Sequence, residues 1–170
     1  RHKVLTYPRT DSRALPEDYI STVQDTLGEM KDSQYGIFAS KILESEWVKP
    51  SKRIFNNSKI SDHFAIIPTS LQPKKLNEAE QKLYDLVTKR FLAIFYPAAE
   101  FLVTTRVTRV ENEPFRTEGK VMVNPGWQSV YGKEVRANGT DKDSVLVAVK
   151  QNESVHAEEI EIVANQTRPP

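Results

Sequence analysis

The sequence predicts an α+β fold in which a helical domain precedes a segment of antiparallel β strands. Apolar residues in positions 1–97 recur at helical spacing. After Pro97 the pattern changes to stretches rich in β-branched residues, beginning with FLVTTRVTRVE at 101–111, and turn signals such as NGTDKD at 138–143 separate them. We therefore expect a helical domain at 1–97, an antiparallel β segment at 98–164 and a linker at 165–170.

Three helices are expected in the first domain. The first begins around LPED at 15–18, where a proline and two acids suit the first turn of a helix, and it continues to about Met30. A shorter helix covers 35–43. The third follows Asn77 and Glu80, which are spaced as a capping box, and it runs to about Phe95 before Pro97 ends it.

Four strands are expected in the second part. The stretch at 101–111 is the first, and a turn at NEPF (112–115) would return the chain as a partner strand over 115–123. SVLVAVK at 144–150 and HAEEIEIV at 156–163 are the other two.

Composition excludes several kinds of chemistry. The chain of 170 residues has no cysteine, which removes disulfides, thiolate zinc sites and cysteine nucleophiles. The three histidines are scattered, and no glycine-rich phosphate loop is present. No apolar run has the length of a membrane span, and the basic start lacks the apolar region of a signal peptide. We expect a cytoplasmic protein, and a first residue other than methionine suggests a piece of a longer chain.

Positive charge is concentrated at the start of the chain. The net charge is only +1, yet the first thirteen residues hold Arg1, Lys3, Arg9 and Arg13 against Asp11 alone. This distribution favours a local anion site over a long electrostatic track along nucleic acid.

The stretch LTYPRTDSR at 5–13 is the first candidate site. A tyrosine with a pKa of about 10 is a poor nucleophile at neutral pH unless a cation stabilises the developing charge. Pro8 favours extended geometry at Tyr7, and in an extended segment Arg9 points to the same side as Tyr7. Both could then face one phosphate, with Asp11 orienting the guanidinium. The same residues also fit a turn with a surface ion pair between Arg9 and Asp11.

A second candidate is SDHFAIIPT at 61–69. A histidine such as His63 can donate to a phosphate and can exchange a proton near neutral pH. The alternative is a partly buried histidine whose partners are main-chain groups.

Taken together, these stretches resemble one family. LTYPRTDSR resembles the active-site tyrosine motif of the type IA DNA topoisomerases, especially topoisomerase III. SDHFAIIPT resembles a second motif of the same family, usually written with two adjacent histidines, where this chain has Phe64 after His63. QTRPP at 166–170 resembles the segment that leads into the next helical part of these enzymes.

The resemblance implies a role for each matching residue. Tyr7 would be the nucleophile that cleaves one DNA strand and holds its end as a 5′-phosphotyrosine. Arg9 would position the scissile phosphate, and His63 would assist there. The expected DNA contacts around these catalytic residues are Lys3, Thr10, Ser12 and Arg13.

The resemblance also implies what this chain needs from elsewhere. In the family, Mg²⁺ is bound by acidic residues of a separate Toprim domain, whose Asp-x-Asp pattern does not occur here, so no metal ligand is expected in this chain. We expect the chain alone not to cleave or relax DNA. The expected partner is mainly single-stranded DNA, the expected state is a monomer, and the β segment would act as a hinge for strand passage. The alternatives are a non-catalytic module that binds single-stranded nucleic acid and a purely structural domain.

Overall fold

The computed structural model describes residues 2–132, 146–154 and 156. Within them the chain forms helices α1 (Ile20–Glu29), α2 (Gly36–Glu44) and α3 (Glu78–Ala93), followed by strands β1 (Glu100–Val110) and β2 (Glu113–Asn124). A short 3₁₀ helix, Gly126–Tyr131, follows β2. Helices followed by an antiparallel strand pair agree with the predicted α+β class. The predicted boundary after residue 97 falls between α3 and β1.

The core lies among the three helices. Each helix contributes a buried apolar stripe, and Val130 of the 3₁₀ helix joins the same cluster. The innermost side chains, all less than 2% exposed, include Leu15, Val23, Leu27, Met30, Ile42, Leu92 and Val130. Leu15 comes from the segment that follows LTYPRTDSR, so the hydrophobic core directly anchors one end of the candidate site.

Helix α1 begins later than the sequence predicts. Its first residue is Ile20, and residues 17 and 18 form a turn. Glu17 is drawn into this turn because its carboxylate lies 2.6 Å from Lys52 Nζ and its N–H donates to Asn57 Oδ1 at 3.0 Å. The hydrogen bond from Lys52 holds the pKa of Glu17 below its ordinary value.

Helix α3 begins where its sequence predicts. The Glu80 N–H donates to the side chain of Asn77, and the Asn77 N–H donates to the side chain of Glu80, both at 2.9 Å. This is the reciprocal capping box inferred from the sequence. The predicted helix at 35–43 is confirmed as α2, with both ends within one residue.

The hairpin turns two residues earlier than predicted. Glu111 and Asn112 connect β1 to β2, and the segment 113–115 lies in β2 instead of the predicted turn. Both turn residues have positive φ, 49° and 70°, which suits a tight two-residue connection between antiparallel strands.

The two remaining predicted strands have different outcomes. Residues 146–150, the described part of SVLVAVK, form no strand, so that prediction is wrong for these residues. HAEEIEIV lies outside the described residues apart from His156, as does the predicted linker at 165–170. Among the helices that the structure describes, none combines the length and apolar character needed to cross a bilayer.

Candidate active site

Main-chain pairing joins residues 4–6, directly before Tyr7, to residues 67–69. Leu5 forms an antiparallel bridge with Pro68, and the Thr6 N–H donates to the Ile67 carbonyl at 2.9 Å. The Thr69 N–H donates back to the Val4 carbonyl at 3.0 Å. The two sequence motifs, about sixty positions apart, therefore lie side by side.

The Thr6 side chain adds a second connection between the motifs. Its hydroxyl donates to the Ala65 carbonyl at 3.0 Å and accepts from the Ile67 N–H at 2.9 Å. The hydroxyl thus satisfies two main-chain groups of the partner segment, and it fixes the residue directly before Tyr7.

The other end of LTYPRTDSR is fixed to a third segment. The Leu15 N–H donates to the Ile54 carbonyl and the Asn56 N–H donates to the Leu15 carbonyl, both at 2.8 Å. The Ala65 N–H donates to the Ala14 carbonyl at 2.9 Å. Because the chain is anchored on both sides, residues 7–11 form a short surface loop with fixed ends.

Tyr7 and His63 meet at the surface. Their ring centroids are 4.7 Å apart and the rings are tilted by 48°. Tyr7 is 58% exposed, and His63 is exposed as well. The Tyr7 hydroxyl makes no hydrogen bond to any described residue, so it is available to a ligand.

These residues line one open cleft of about 710 Å³. A smaller depression of about 390 Å³ adjoins it, because Asp11 and Ser61 line both. The larger cleft is lined by Tyr7, Pro8, Arg9, Thr10, Asp11, Ser61, Asp62 and His63. The three predicted catalytic residues therefore share one cleft, as the interpretation of the two motifs requires.

Arg9 is exposed and is not paired with Asp11. No ion pair within the described part of the chain includes either residue. The surface ion pair considered from the sequence is therefore wrong, and so is the idea that Asp11 orients the guanidinium. Arg9 is free to bind an anion in the cleft through its planar donor groups.

The four predicted DNA contacts fall into two groups. Arg13 is exposed and lines the smaller depression, and Lys3 is exposed but lines neither. Thr10 and Ser12 instead donate their hydroxyl protons within the chain, to the carbonyls of His63 and Lys59, each at 2.8 Å. Their predicted role as phosphate donors stays a prediction, but in this conformation it competes with these bonds.

Position 64 has a structural role here. The Phe64 ring packs against Tyr19 with centroids 4.9 Å apart, and it is half-buried at the edge of the core. Neighbouring His63 is exposed to the cleft. Only one of the two positions thus offers a side chain to a ligand, which accounts for a phenylalanine being accommodated at 64.

The described residues offer no cation site of their own. No group of three or more histidine or acidic side chains among them is arranged to hold a metal ion. Asp11, Asp62 and His63 line the cleft but are not arranged as such a group.

The sequence interpretation missed the structural use of the threonines. Thr6 and Thr10 flank Tyr7 and Arg9, and both hydroxyls bind main-chain groups of the second motif. The sequence did contain a signal for this role, because the two threonines stand among exposed residues. Short hydroxyl side chains in such segments readily form hydrogen bonds with main-chain groups.

Comparison with known proteins shows the family to which the chain is similar. A family model described as DNA topoisomerase matches residues 1–170. DNA topoisomerase 3 of Bacillus subtilis strain 168 is 37% identical over 174 residues, and that of Bacillus cereus strain ATCC 14579 is 38% identical over 175. DNA topoisomerase 3 of Bacillus licheniformis is 36% identical over 173 residues. Each match covers 100% of this chain but only 24% of the relative.

Proposed function

Because the chain belongs to the type IA DNA topoisomerase family and is topoisomerase III-like, we propose that it supplies the strand-cleaving tyrosine of a longer enzyme. The observation that carries this proposal is the meeting of Tyr7, Arg9 and His63 in one open cleft, although they come from two distant motifs. In this cleft an exposed tyrosine hydroxyl shares the lining with an arginine that has no ion-pair partner among the described residues.

In the proposed reaction the Tyr7 oxygen attacks the phosphorus of one DNA linkage. A bond forms between that oxygen and the phosphorus, the Tyr7 proton leaves to a base, and the bond to the 3′-oxygen breaks. The 3′-oxygen departs with a proton, and the 5′ end stays on Tyr7 as a phosphotyrosine. The covalent link conserves the energy of the broken linkage, so resealing by the reverse attack needs no nucleotide cofactor.

Arg9 and His63 would act on the phosphate. The Arg9 guanidinium can bind two phosphate oxygens and stabilise the charge that develops on them. His63 lies against the Tyr7 ring and can donate a hydrogen bond to the phosphate or exchange a proton near it.

The DNA would be mainly single-stranded. The cleft is short and open, and the basic side chains along it are few, so it suits one flexible strand better than the extended charge of a duplex. Arg13 would contact a neighbouring phosphate from the adjoining depression, and Lys3 would contribute from outside it.

In the longer enzyme, Mg²⁺ would be bound by the acidic residues of a separate Toprim domain, as the resemblance to the family implies. We accordingly expect the 170-residue chain to bind single-stranded DNA weakly and to form no covalent adduct alone. In the longer enzyme, acting as a monomer in the cytoplasm, the β hairpin would belong to a hinge that lets the tyrosine part lift away for strand passage.

A cleavage assay with the full-length enzyme tests the proposal. The substrate is a single-stranded oligonucleotide labelled at its 3′ end, with Mg²⁺ present, because a 5′-phosphotyrosine retains the 3′-labelled piece on the protein. The label should appear on the protein in a denaturing gel, and the Tyr7→Phe variant should lose this adduct while DNA affinity stays nearly unchanged. Tyr131→Phe, an exposed tyrosine outside the cleft, is the matched control.

The opposite result would favour the alternative of a non-catalytic binding module. That alternative uses the exposed Arg9 and Arg13 as phosphate contacts and does not need Tyr7. Adduct formation that survives Tyr7→Phe would contradict the proposed nucleophile, and adduct formation by the 170-residue chain alone would contradict its predicted dependence on other parts of the enzyme.

A further inference from the structure

Thr10 links the tyrosine loop to the main chain of His63. Its hydroxyl donates to the His63 carbonyl at 2.8 Å and accepts from the Ser12 N–H at 3.0 Å. The hydroxyl therefore uses its one donor and one of its two acceptor positions within the protein. The link joins residues 53 positions apart and lies three residues beyond Tyr7.

The His63 ring has few other constraints. It is exposed, no described residue makes a hydrogen bond to its nitrogens, and its ring contact is Tyr7 at 4.7 Å. Two residues further on, the chain is fixed at Ala65 by the bonds to Ala14 and Thr6. The Thr10 hydroxyl holds the His63 carbonyl, whose carbon is bonded directly to the Cα that carries the imidazole, so it restrains where that Cα lies beside Tyr7.

We propose that Thr10 is a positioning residue that acts through His63, holding the imidazole against Tyr7. This proposal rests on the proposed function, because positioning matters for the reaction only if Tyr7 and His63 act on DNA. Thr10 thereby differs from Arg9, which points an unpaired charge into the cleft, and its hydroxyl need not touch the DNA at all.

The expected effect on the reaction follows from geometry. A displacement of a reacting group by about 1 Å costs on the order of 100-fold in rate. We expect the loss of one hydrogen bond at an exposed loop to shift His63 by less than this. We therefore expect Thr10→Val, which keeps the shape and removes the hydroxyl, to slow cleavage about tenfold, with DNA affinity unchanged. Thr10→Ser restores the donor and most of the rate.

The first experiment reads the geometry without activity. Proton NMR of the 170-residue chain follows the His63 ring resonances, which His63→Gln identifies among the three histidines. In the wild type the nearby Tyr7 ring displaces these resonances, and Tyr7→Leu gives their positions without it. Thr10→Val should move them towards the Tyr7→Leu positions, and Thr10→Ser should leave them near the wild type.

Two further variants serve as controls for this comparison. Thr105→Val makes the same chemical change at an exposed strand position whose hydroxyl has no described partner, and it should move nothing. Thr10→Ala, which also lacks the hydroxyl, replaces the valine variant if that one does not fold. His63 resonances that stay in place in every hydroxyl-free variant would overturn the proposal.

The second experiment is a double-substitution cycle in the full-length enzyme. If Thr10 acts through His63, Thr10→Val slows cleavage in the wild type but adds nothing in the His63→Ala background. Equal effects in both backgrounds would overturn the positioning role, as would a loss of DNA affinity that accounts for the slower rate. An adduct that persists in Tyr7→Phe would contradict the proposed function and not the positioning role. In that case the NMR comparison still tests whether Thr10 holds the His63 ring against Tyr7.

Discussion

The hydroxyl of Thr6 carries a measurable share of the stability of the tyrosine segment. Thr6→Val keeps the branched shape and removes two hydrogen bonds, to the Ala65 carbonyl at 3.0 Å and from the Ile67 N–H at 2.9 Å. Ile67 is buried and Ala65 is half-buried, so water replaces these partners poorly. The substitution therefore leaves one donor and one acceptor of the second motif without a partner.

The expected cost is about 2 kcal/mol. A typical hydrogen bond contributes roughly 1 kcal/mol net, and an unsatisfied buried group costs about 1–3 kcal/mol. The added methyl group of valine offsets part of this loss. In a chain of this size, about 2 kcal/mol corresponds to a fall of roughly 4–8 °C in Tm.

Urea unfolding of the 170-residue chain, followed by circular dichroism, measures this loss. Thr6→Ser should stay close to the wild type because it retains the hydroxyl. Thr105→Val, exposed on β1, should change stability by less than about 0.5 kcal/mol. If Thr6→Val costs no more than Thr105→Val, the side chain does not fasten the two motifs as described.

Two further predictions concern the rest of the fold. Gly126 has φ +47°, and an added Cβ would lie 2.4 Å from the Ala98 carbonyl oxygen, so Gly126→Ala should lower the free energy of unfolding in urea by at least about 2 kcal/mol. Gly132→Ala is the control, because Gly132 has φ +76° but no described atom near an added Cβ. A loss for Gly126→Ala no larger than that for Gly132→Ala would refute the clash. Burial, aided by the neighbouring Asp85 carboxylate, raises the pKa of Tyr35 to about 12 in the folded protein. Because this pKa lies above the unfolded value of about 10, the contribution of Tyr35 to the stability of the folded state is complete below pH 10 and is lost as pH rises towards 12. Unfolding free energies measured between pH 9 and 12 should fall over that window, less steeply in Tyr35→Phe, and equal slopes would contradict the assignment.

Local sequence rules predicted the elements that depend on neighbouring residues. The capping box at Asn77 and Glu80 and the β-branched stretch that forms β1 are both local signals, and both elements occur where expected. The start of α1 was predicted too early because Glu17 binds Lys52 and Asn57, which lie 35 and 40 positions away. Propensity within a short window contains no information about such distant partners.

In the candidate site, too, local sequence predicts some features, while others depend on residues that are distant in the chain. Pairing of the two motifs was inferred from a family resemblance, and neither spacing nor composition would have placed His63 beside Tyr7. The observed bridge at Leu5 pairs the two motifs two residues before Tyr7, and the extended geometry that Pro8 favours at Tyr7 stays a prediction. The use of Thr10 to bind a main-chain carbonyl was hidden, because a threonine next to an arginine equally suggests a phosphate contact.

The hairpin leaves a surface that the helical part does not cover. Its two strands pair along their whole length, and several apolar side chains on them remain more than half exposed, namely Leu102, Val103, Val107, Val110, Phe115 and Val123. A two-stranded ribbon is marginally stable by itself in water. This exposure agrees with the proposal that the hairpin belongs to a larger hinge.

The most direct test of the central claim is to locate the DNA on the protein. The full-length enzyme is trapped with a single-stranded oligonucleotide, the DNA is trimmed with nuclease, and the protein is digested with trypsin. Cleavage after Lys3 and Arg9 releases a peptide in which Tyr7 is the sole tyrosine. We predict a nucleotide phosphate on that peptide, attached at Tyr7. A covalent nucleotide on any other tyrosine, with this peptide unmodified, would contradict the account.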